Sequence, residues 1–305
     1  MQAALARCTL CPRQCGVDRL VGPTGFCRVD HGLAIAAITR HRGEEPVLCG
    51  ERGICNVFFG HCNLRCRFCQ NVQISRNYTP IKGANWSLAQ VVEQIIAILE
   101  TGINHLGFVS PSHMVVQMVA IIEALHSRGR HPIVVYNSNG YDRVATLRAL
   151  EGLVDVYLPD FKYSDTTLAG HYSAAPDYPE VAAAALAEMY RQKGNLLHLD
   201  DDGLAERGLI VRHLVLPGAV ANSLGVLRLL AEELSPRLNL SLMSQYQPTA
   251  AVADDPLLSR TLLPAEYDQV VAEMERLGFT HGWVQDVASP AYYNPDFKKD
   301  SPFGE

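Results

Sequence analysis

From residue 87 onward the chain alternates between two hydrophobic rhythms. Ser87-Leu88-Ala89-Gln90 reads as a capping box, and Leu88, Val91, Val92, Ile95, Ile96 and Leu99 recur at three- and four-residue spacing before Gly102. That pattern predicts an amphipathic helix with a defined start and stop. Apolar runs at 105–109, 133–136, 154–158, 209–216 and 238–243 read as strands, and helical patterns at 113–127, 142–150, 179–192 and 223–234 lie between them. A last helix starts at Pro264, turns Val270, Val271, Met274 and Leu277 inward, stops at Gly278 and leads to the strand-like Gly282-Trp283-Val284-Gln285. One more β-type run, 54–61, precedes the first helix. Crossover helices of this kind separate parallel strands. Counted from 54–61, the pattern gives six strand–helix units and a closing segment, the signature of a partial or complete parallel α/β barrel. Asp200-Asp201-Asp202-Gly203 is a turn signal and predicts a surface hairpin within 195–208.

Length and charge narrow the class. A chain of 305 residues, 48% hydrophobic, is within the size that such barrels occupy as one unit. A net charge of -6 and a pI of about 6.0 give no basic field to attract nucleic acid or an anionic membrane. No apolar run reaches the length of a membrane span, and Met1–Arg7 lacks the apolar core of a signal peptide, so the expected location is cytoplasmic.

The cysteines carry the chemistry. All nine fall between Cys8 and Cys69, an odd and crowded set that favours metal or cluster ligation over disulfides. Cys8, Cys11, Cys15 and Cys27, amid Pro and Gly turns, form a four-cysteine set for zinc or a [4Fe-4S] cluster. They define an N-terminal module, residues 1–50, ahead of a barrel at 51–305. Cys49 and Cys55 read as small buried hydrophobes. The stretch Gly60-His61-Cys62-Asn63-Leu64-Arg65-Cys66-Arg67-Phe68-Cys69-Gln70-Asn71 holds three cysteines on one short loop. On a cubane cluster three thiolates leave one iron open, and an open metal position usually serves chemistry. The competing reading is a structural zinc loop with its fourth ligand elsewhere.

Parallel barrels assemble sites at the C-terminal ends of their strands, so the polar residues there are candidates. They are Ser110, Ser112 and His113; Asn137, Ser138, Asn139 and Gly140; Asp160 and Lys162; Arg212 with His213; and Gln245 with Tyr246. Each also has a plain structural reading. Asp160 and Lys162 could form a surface ion pair, Asn139-Gly140 a simple turn, and His113 a helix start without a role. Alternation sends Arg212 and His213 to opposite faces. An inward Arg212 would be a strong anion ligand, whereas an inward His213 would leave Arg212 to an ion pair in the helix layer.

The Cys-x3-Cys-x2-Cys spacing, with Phe68 before the third cysteine, resembles the signature of the radical S-adenosylmethionine (radical SAM) enzymes. Cys8–Val17, Tyr136–Asp142, Val156–Tyr163, Val211–Gly218 and Ser241–Tyr246 are similar to the PflX-like branch related to the pyruvate formate-lyase activating enzymes. The resemblance implies a partial (β/α)6 barrel of the radical SAM kind in which Cys62, Cys66 and Cys69 hold a [4Fe-4S] cluster. SAM would bind the open iron, with Ser110, Ser112, His113, Asn137, Asn139, Asp160, Lys162, Arg212 and Gln245 as its surroundings and Lys162 suited to its carboxylate. It further implies an oxidoreductase in which one electron, from a donor such as flavodoxin or ferredoxin, cleaves SAM to a 5′-deoxyadenosyl radical. In the activating type that radical takes hydrogen from a glycine on a partner protein. Two alternatives stand beside it: radical modification of a small metabolite, and a non-enzymatic iron–sulfur redox or interaction module. Two departures bear on the choice. Ser110-Pro111-Ser112-His113 occupies the place of the activating enzymes' Gly-Gly-Glu-Pro, and Asn137 stands where they commonly have aspartate.

Overall fold

The computed structural model describes residues 3–22, 25–78, 81, 86–287, 295–299 and 301–304. Nine strands form the sheet: β1 (Ile35–His41), β2 (Ile54–Phe59), β3 (His105–Val109), β4 (Ile133–Ser138), β5 (Val156–Pro159), β6 (His198–Leu199), β7 (Ala205–Leu214), β8 (Asn239–Met243) and β9 (His281–Val284). The spatial order is β1-β2-β3-β4-β5-β7-β8-β9, and β6 hangs on β7 as the expected hairpin. Every pairing from β2 to β9 along this path is parallel. β2 and β3 are buried at every position, as strands covered on both faces must be. Six of the parallel strands, β2, β3, β4, β5, β7 and β8, each lead into helix before the next, and β9 closes the series. This is a partial barrel, because among the described residues β9 and β1 do not pair.

The capping box forms as the sequence requires. Ser87 Oγ accepts from Gln90 N at 3.2 Å, while Gln90 Oε1 accepts from Ser87 N at 2.9 Å, at the start of the helix Leu88–Leu99. Two of the elements that lay outside the sequence reading bear on the sheet and the site. β1 pairs antiparallel with β2, so a sheet strand precedes residue 51. The helix Thr166–Ser173, capped by Asp165 accepting from Leu168 N at 2.8 Å, has too mixed a face to betray itself by periodicity.

The connection from β1 to β2 folds into the bottom of the barrel. There Leu48 and Cys49, on the short helix Pro46–Cys49, join Ile54, Val135, Val156, Leu158 and Ile210 in a buried apolar plug. Cys49 and Cys55 are thus the buried residues expected, and burial alone pushes the Cys55 thiol up to about 12. Near the open seam, Phe303 packs tilted against His41 at 4.0 Å between ring centroids, and Phe297 meets Phe58 edge-on at 5.3 Å. Among the described residues no helix is long and apolar enough to cross a membrane.

Candidate functional site

β2 ends at Phe59, and the loop that follows turns through His61, whose φ of 63° places a non-glycine residue in the left-handed region. This turn brings Cys62, Cys66 and Cys69 to the mouth of the barrel. Every one of the three sulfurs accepts a hydrogen bond. Leu64 N and Asn139 Nδ2 donate to Cys62 Sγ at 3.4 and 3.3 Å, Ser173 Oγ donates to Cys66 Sγ at 3.0 Å, and Ser75 Oγ donates to Cys69 Sγ at 3.3 Å. Asn139 is itself locked, its Oδ1 taking Tyr141 N at 2.9 Å and its Nδ2 also reaching Asn63 Oδ1 at 2.8 Å. Gly140 makes this close approach possible, since its φ is 77° and a Cβ there would lie 2.0 Å from the Asp160 carbonyl oxygen. Burial, with the neighbouring thiolate of Cys66 adding to it, pushes the Cys62 thiol up to about 12. Burial likewise lifts Cys66 to about 11 against the opposing pull of Lys162.

Four donors aimed at three sulfurs, where burial favours the neutral thiol at Cys62 and Cys66, is a poor arrangement for the protein alone. It becomes a good one when the sulfurs are thiolates bound to a cationic centre, because donors to sulfur stabilise and tune such a centre. The donor set therefore fits an iron–sulfur cluster. Among the described residues no group of three or more His, Cys, Asp or Glu side chains converges as a site for a single metal ion would require.

Below the sulfurs lies a cavity of about 370 Å³ inside the barrel. Of the residues picked from strand ends, Ser110, Asn137, Asn139, Asp160, Lys162, Arg212 and Gln245 all line it. Lys162 Nζ donates to Asp160 Oδ2 at 2.5 Å, with side-chain exposures of 17% and 22%, so this pair belongs to the cavity and not to the outer surface. Burial opposes its charge, but Asp160 and the sulfurs of Cys66 and Cys69 outweigh burial and hold the ammonium above its ordinary range. Gln245 is pinned in the wall, its Oε1 accepting from Gln285 Nε2 at 2.8 Å. Tyr246 instead packs against Phe68 and donates to the Leu258 carbonyl at 2.6 Å.

Ser112 and His113 do not reach the cavity. Ser110 adopts a left-handed backbone (φ 54°, ψ 51°), so the 3-10 turn Pro111–His113 folds away from the lumen and carries both side chains into the protein behind the strand ends. There the His113 Nε2 meets the Gly60 carbonyl at 2.9 Å, and burial drives the imidazole down to about 3, which keeps it neutral. Both residues are removed from the set able to touch a ligand in the lumen.

Arg212 faces inward and His213 outward. His213 bonds the Phe161 carbonyl at 2.7 Å and Ser223 Oγ at 2.8 Å, and burial lowers it to about 4. The anions that Arg212 meets are the protein's own. Its Nε donates to Glu45 Oε1 at 2.8 Å, and its Nη2 contacts both Glu44 and Glu45. Glu44 is further held by Asn56 Nδ2 at 2.8 Å and Asn137 Nδ2 at 3.4 Å. Gly107 on β3 is needed here, because a Cβ would stand 2.0 Å from Asn56 Oδ1. Burial works against the Glu44 charge, yet Arg212 and His41 hold its carboxyl down at about 2. The floor of the cavity is thus two carboxylates on one guanidinium. Sequence reasoning missed Glu44, Glu45, Ser75 and Ser173. Only Glu44-Glu45, adjacent carboxylates before a proline, left any trace in the sequence.

The N-terminal cysteines also gather. Cys8, Cys11 and Cys27 are buried and Cys15 is exposed. Burial, and then the nearness of Cys27, Cys8 and Cys15, lifts the Cys11 thiol to about 12. Phe26 N donates to Cys15 Sγ at 3.3 Å. The fully buried Arg19 anchors this module to the barrel, donating to the Asp30 carbonyl at 2.7 Å and to the His113 carbonyl at 2.7 Å.

The fold and the site define an architecture first: a partial parallel α/β barrel with a three-cysteine loop at the mouth of its lumen. No family model matches the chain. It is 26% identical over 276 residues to an uncharacterized protein of Methanocaldococcus jannaschii, covering 88% of this chain and 74% of that one. Among solved structures it superposes on Streptococcus suis SuiB bound to S-adenosylmethionine with a TM-score of 0.50 at 10% identity, over 77% of this chain and 51% of SuiB. The chain thus spans about half of SuiB, and the likeness is one of fold. A domain of pyruvate-formate lyase-activating enzyme from Bacteroides vulgatus gives a TM-score of 0.39 at 15% identity, over 56% of this chain and 93% of that domain, too loose a superposition to carry weight.

Proposed function

We propose that the chain is a radical SAM enzyme that reductively cleaves S-adenosylmethionine at a [4Fe-4S] cluster held by Cys62, Cys66 and Cys69. The observation that carries this reading is the mouth of the lumen, where three hydrogen-bonded sulfurs stand beside the buried ammonium of Lys162. The cluster and SAM would together supply, on one-electron reduction, a 5′-deoxyadenosyl radical, while the protein supplies binding and orientation. Lys162, fixed by Asp160, meets the SAM carboxylate through a charge-assisted hydrogen bond. Arg212 is committed to Glu44 and Glu45 and leaves that task to Lys162. The Ser110 hydroxyl and strand-end carbonyls serve the SAM amino group in place of an acidic motif. Anaerobic reconstitution, reduction with dithionite and chromatographic measurement of 5′-deoxyadenosine test the reading. A protein that took up iron and sulfide yet made none, beside an active control enzyme, would end it.

The activating-type substrate, a glycine on a partner protein, rests on the shared sequence runs alone. The cavity favours the second reading, a small molecule. Glu44, Glu45 and Arg212 line its floor above the apolar plug, and Pro295 and Phe303 line its side. A protein-free metabolite filtrate should then stimulate 5′-deoxyadenosine formation, whereas stimulation by the protein fraction alone would return the case to the activating type. Iron and zinc analysis of the chain with and without Cys11 tests whether the N-terminal set binds a metal and which one.

A further inference from the structure

Charge is unevenly spread on this acidic protein. Residues 1–43 carry six arginines against Asp18 and Asp30, and residues 61–78 carry three arginines with no Asp or Glu, although the whole chain has a net charge of -6. In the fold these two segments meet. Arg13 and Arg65 place their guanidinium carbons 3.9 and 4.4 Å from the centre of one ring, that of Phe26, and Arg76 lies 6.0 Å over Tyr78. Arg28, Arg65 and Arg76 are exposed and Arg13 half-buried.

Among the described residues none of these four has a carboxylate partner, and Arg13 spends its donors on the carbonyls of Asn63 and Ala174. The outer helices follow the opposite rule. Arg128 pairs with Glu93, Arg130 with Glu100, Arg228 and Arg276 with Glu273, and Arg260 with Glu266. Like charges stacked on one ring repel each other, and a surface that gathers them without counter-charges is built to meet an anionic partner.

Its position says which partner. Phe26 lies between the two cysteine sites. Its amide donates to the exposed Cys15 sulfur, and its carbonyl accepts from Asn77 Nδ2 at 2.8 Å. Asn77 in turn accepts from Cys62 N and donates to the Cys62 carbonyl, both at 3.1 Å. The arginine face therefore sits directly over the loop that carries Cys62, Cys66 and Cys69. A nucleic acid would call for a longer basic track following a phosphate backbone.

We propose that Arg13, Arg28, Arg65 and Arg76 form the docking face for a small acidic electron-carrier protein that reduces the centre held by Cys62, Cys66 and Cys69. One electron leaves the reduced carrier and one arrives at that centre, and no bond is made or broken at the surface. This inference rests on the radical SAM reading of the cysteine loop.

The test uses the full reconstituted chain, with chemically reduced flavodoxin as the acidic carrier and dithionite as a small reductant, and follows bleaching of the cluster absorbance by stopped flow. The triple variant R28E/R65E/R76E should be reduced by flavodoxin at least tenfold more slowly, with a much smaller slowing by dithionite, a small anion that meets the same charges without docking. The unaltered protein should show a flavodoxin rate that falls steeply with salt, so the inference does not hang on the variant folding. A flavodoxin rate indifferent to both charge reversal and salt overturns the docking face while leaving the radical SAM reading intact. Tight binding of single-stranded oligonucleotide that the triple variant loses also overturns it, by giving the face to nucleic acid. If no cluster absorbance appears at all, the underlying reading falls first.

Discussion

The mouth and the floor of the lumen are both built from buried ionisable groups, and they treat charge in opposite ways. At the floor the protein supplies its own counter-charge: Arg212 lies between Glu44 and Glu45, and the amides of Asn56 and Asn137 cover the remaining Glu44 oxygen. At the mouth hydrogen-bond donors converge on Cys62, Cys66 and Cys69, and the cation beside them, Lys162, is already held by Asp160. A buried charge left unmatched is costly. The floor therefore has its ion partners within the fold, whereas the donors at the mouth suit a bound centre of the kind proposed. Substitutions at the floor should strike stability, and substitutions at the mouth should strike binding and chemistry.

The sharpest break of this contrast is Cys66→Ala. Iron content should drop and 5′-deoxyadenosine should fall to background, with the thermal unfolding midpoint of the metal-free chain changed little. Retained product formation would mean that the mouth is not the site. Next in size is Arg212→Met, which strands two carboxylates in the interior. Chemical denaturation should show a loss of about 3–5 kcal/mol, the usual cost of breaking a buried ion pair. If the variant is as stable as the parent, the floor is not the self-contained structure described here. Lys162→Met should cost less stability than Arg212→Met, because Asp160 is 22% exposed and keeps contact with water, but should weaken SAM binding to the reconstituted protein by about 10- to 100-fold, the worth of one hydrogen bond to a charged group. Unchanged affinity in calorimetry would release Lys162 from that role.

Acid sensitivity sharpens the comparison behind the strand ends. Burial holds His113 at about 3 and His213 at about 4 in the fold, against about 6.5 in an unfolded chain. Because the folded values are depressed, their contribution is fully present above pH 6.5 and is lost as pH falls toward 4 and then 3. Each buried histidine should steepen the loss by about 1.4 kcal/mol per pH unit within that window. Glu44, held at about 2, extends the decline below the ordinary carboxylate range. Stability measured from pH 7 to 4 should therefore slope downward, and His213→Gln should flatten the slope. A level profile in the parent protein contradicts the buried neutral assignment. The smallest effect belongs to the outer helices, where Arg276→Ala removes a surface ion pair to Glu273 and should leave the denaturation midpoint unchanged within error.

Much of the framework was legible because it is written in local patterns. The capping box at Ser87, the six strand–helix units and the hairpin before β7 all follow from spacings of a few residues, and they fold as read. The three-cysteine loop was legible for the same reason. Its supporting shell was not. Ser75, Ser173 and Asn139 reach the sulfurs from elements 6, 107 and 77 residues away along the chain, and hydroxyl and amide side chains carry no spacing that announces such a partner. Ser112 and His113 show the converse error. They stand at a strand end in sequence, but the left-handed turn at Ser110 rotates them out of the lumen.

The amino-acid sequence by itself determined the alternating layers, the crowding of cysteine at the front of the chain and the loop able to hold a cluster, because periodicity and short spacing are properties of neighbouring residues. Tertiary structure decided what those parts face. It put Glu44 and Glu45 beneath the barrel through a connection that precedes the first parallel strand, gave Arg212 to them, and turned His213 into the helix layer. It also laid the arginines of two separate segments on one phenylalanine ring. The physical reason is common to all of these. Burial, ion pairing and solvent exposure are set by groups brought together across long stretches of chain, so the same residue can be a ligand, a strut or a docking contact depending on what closes over it.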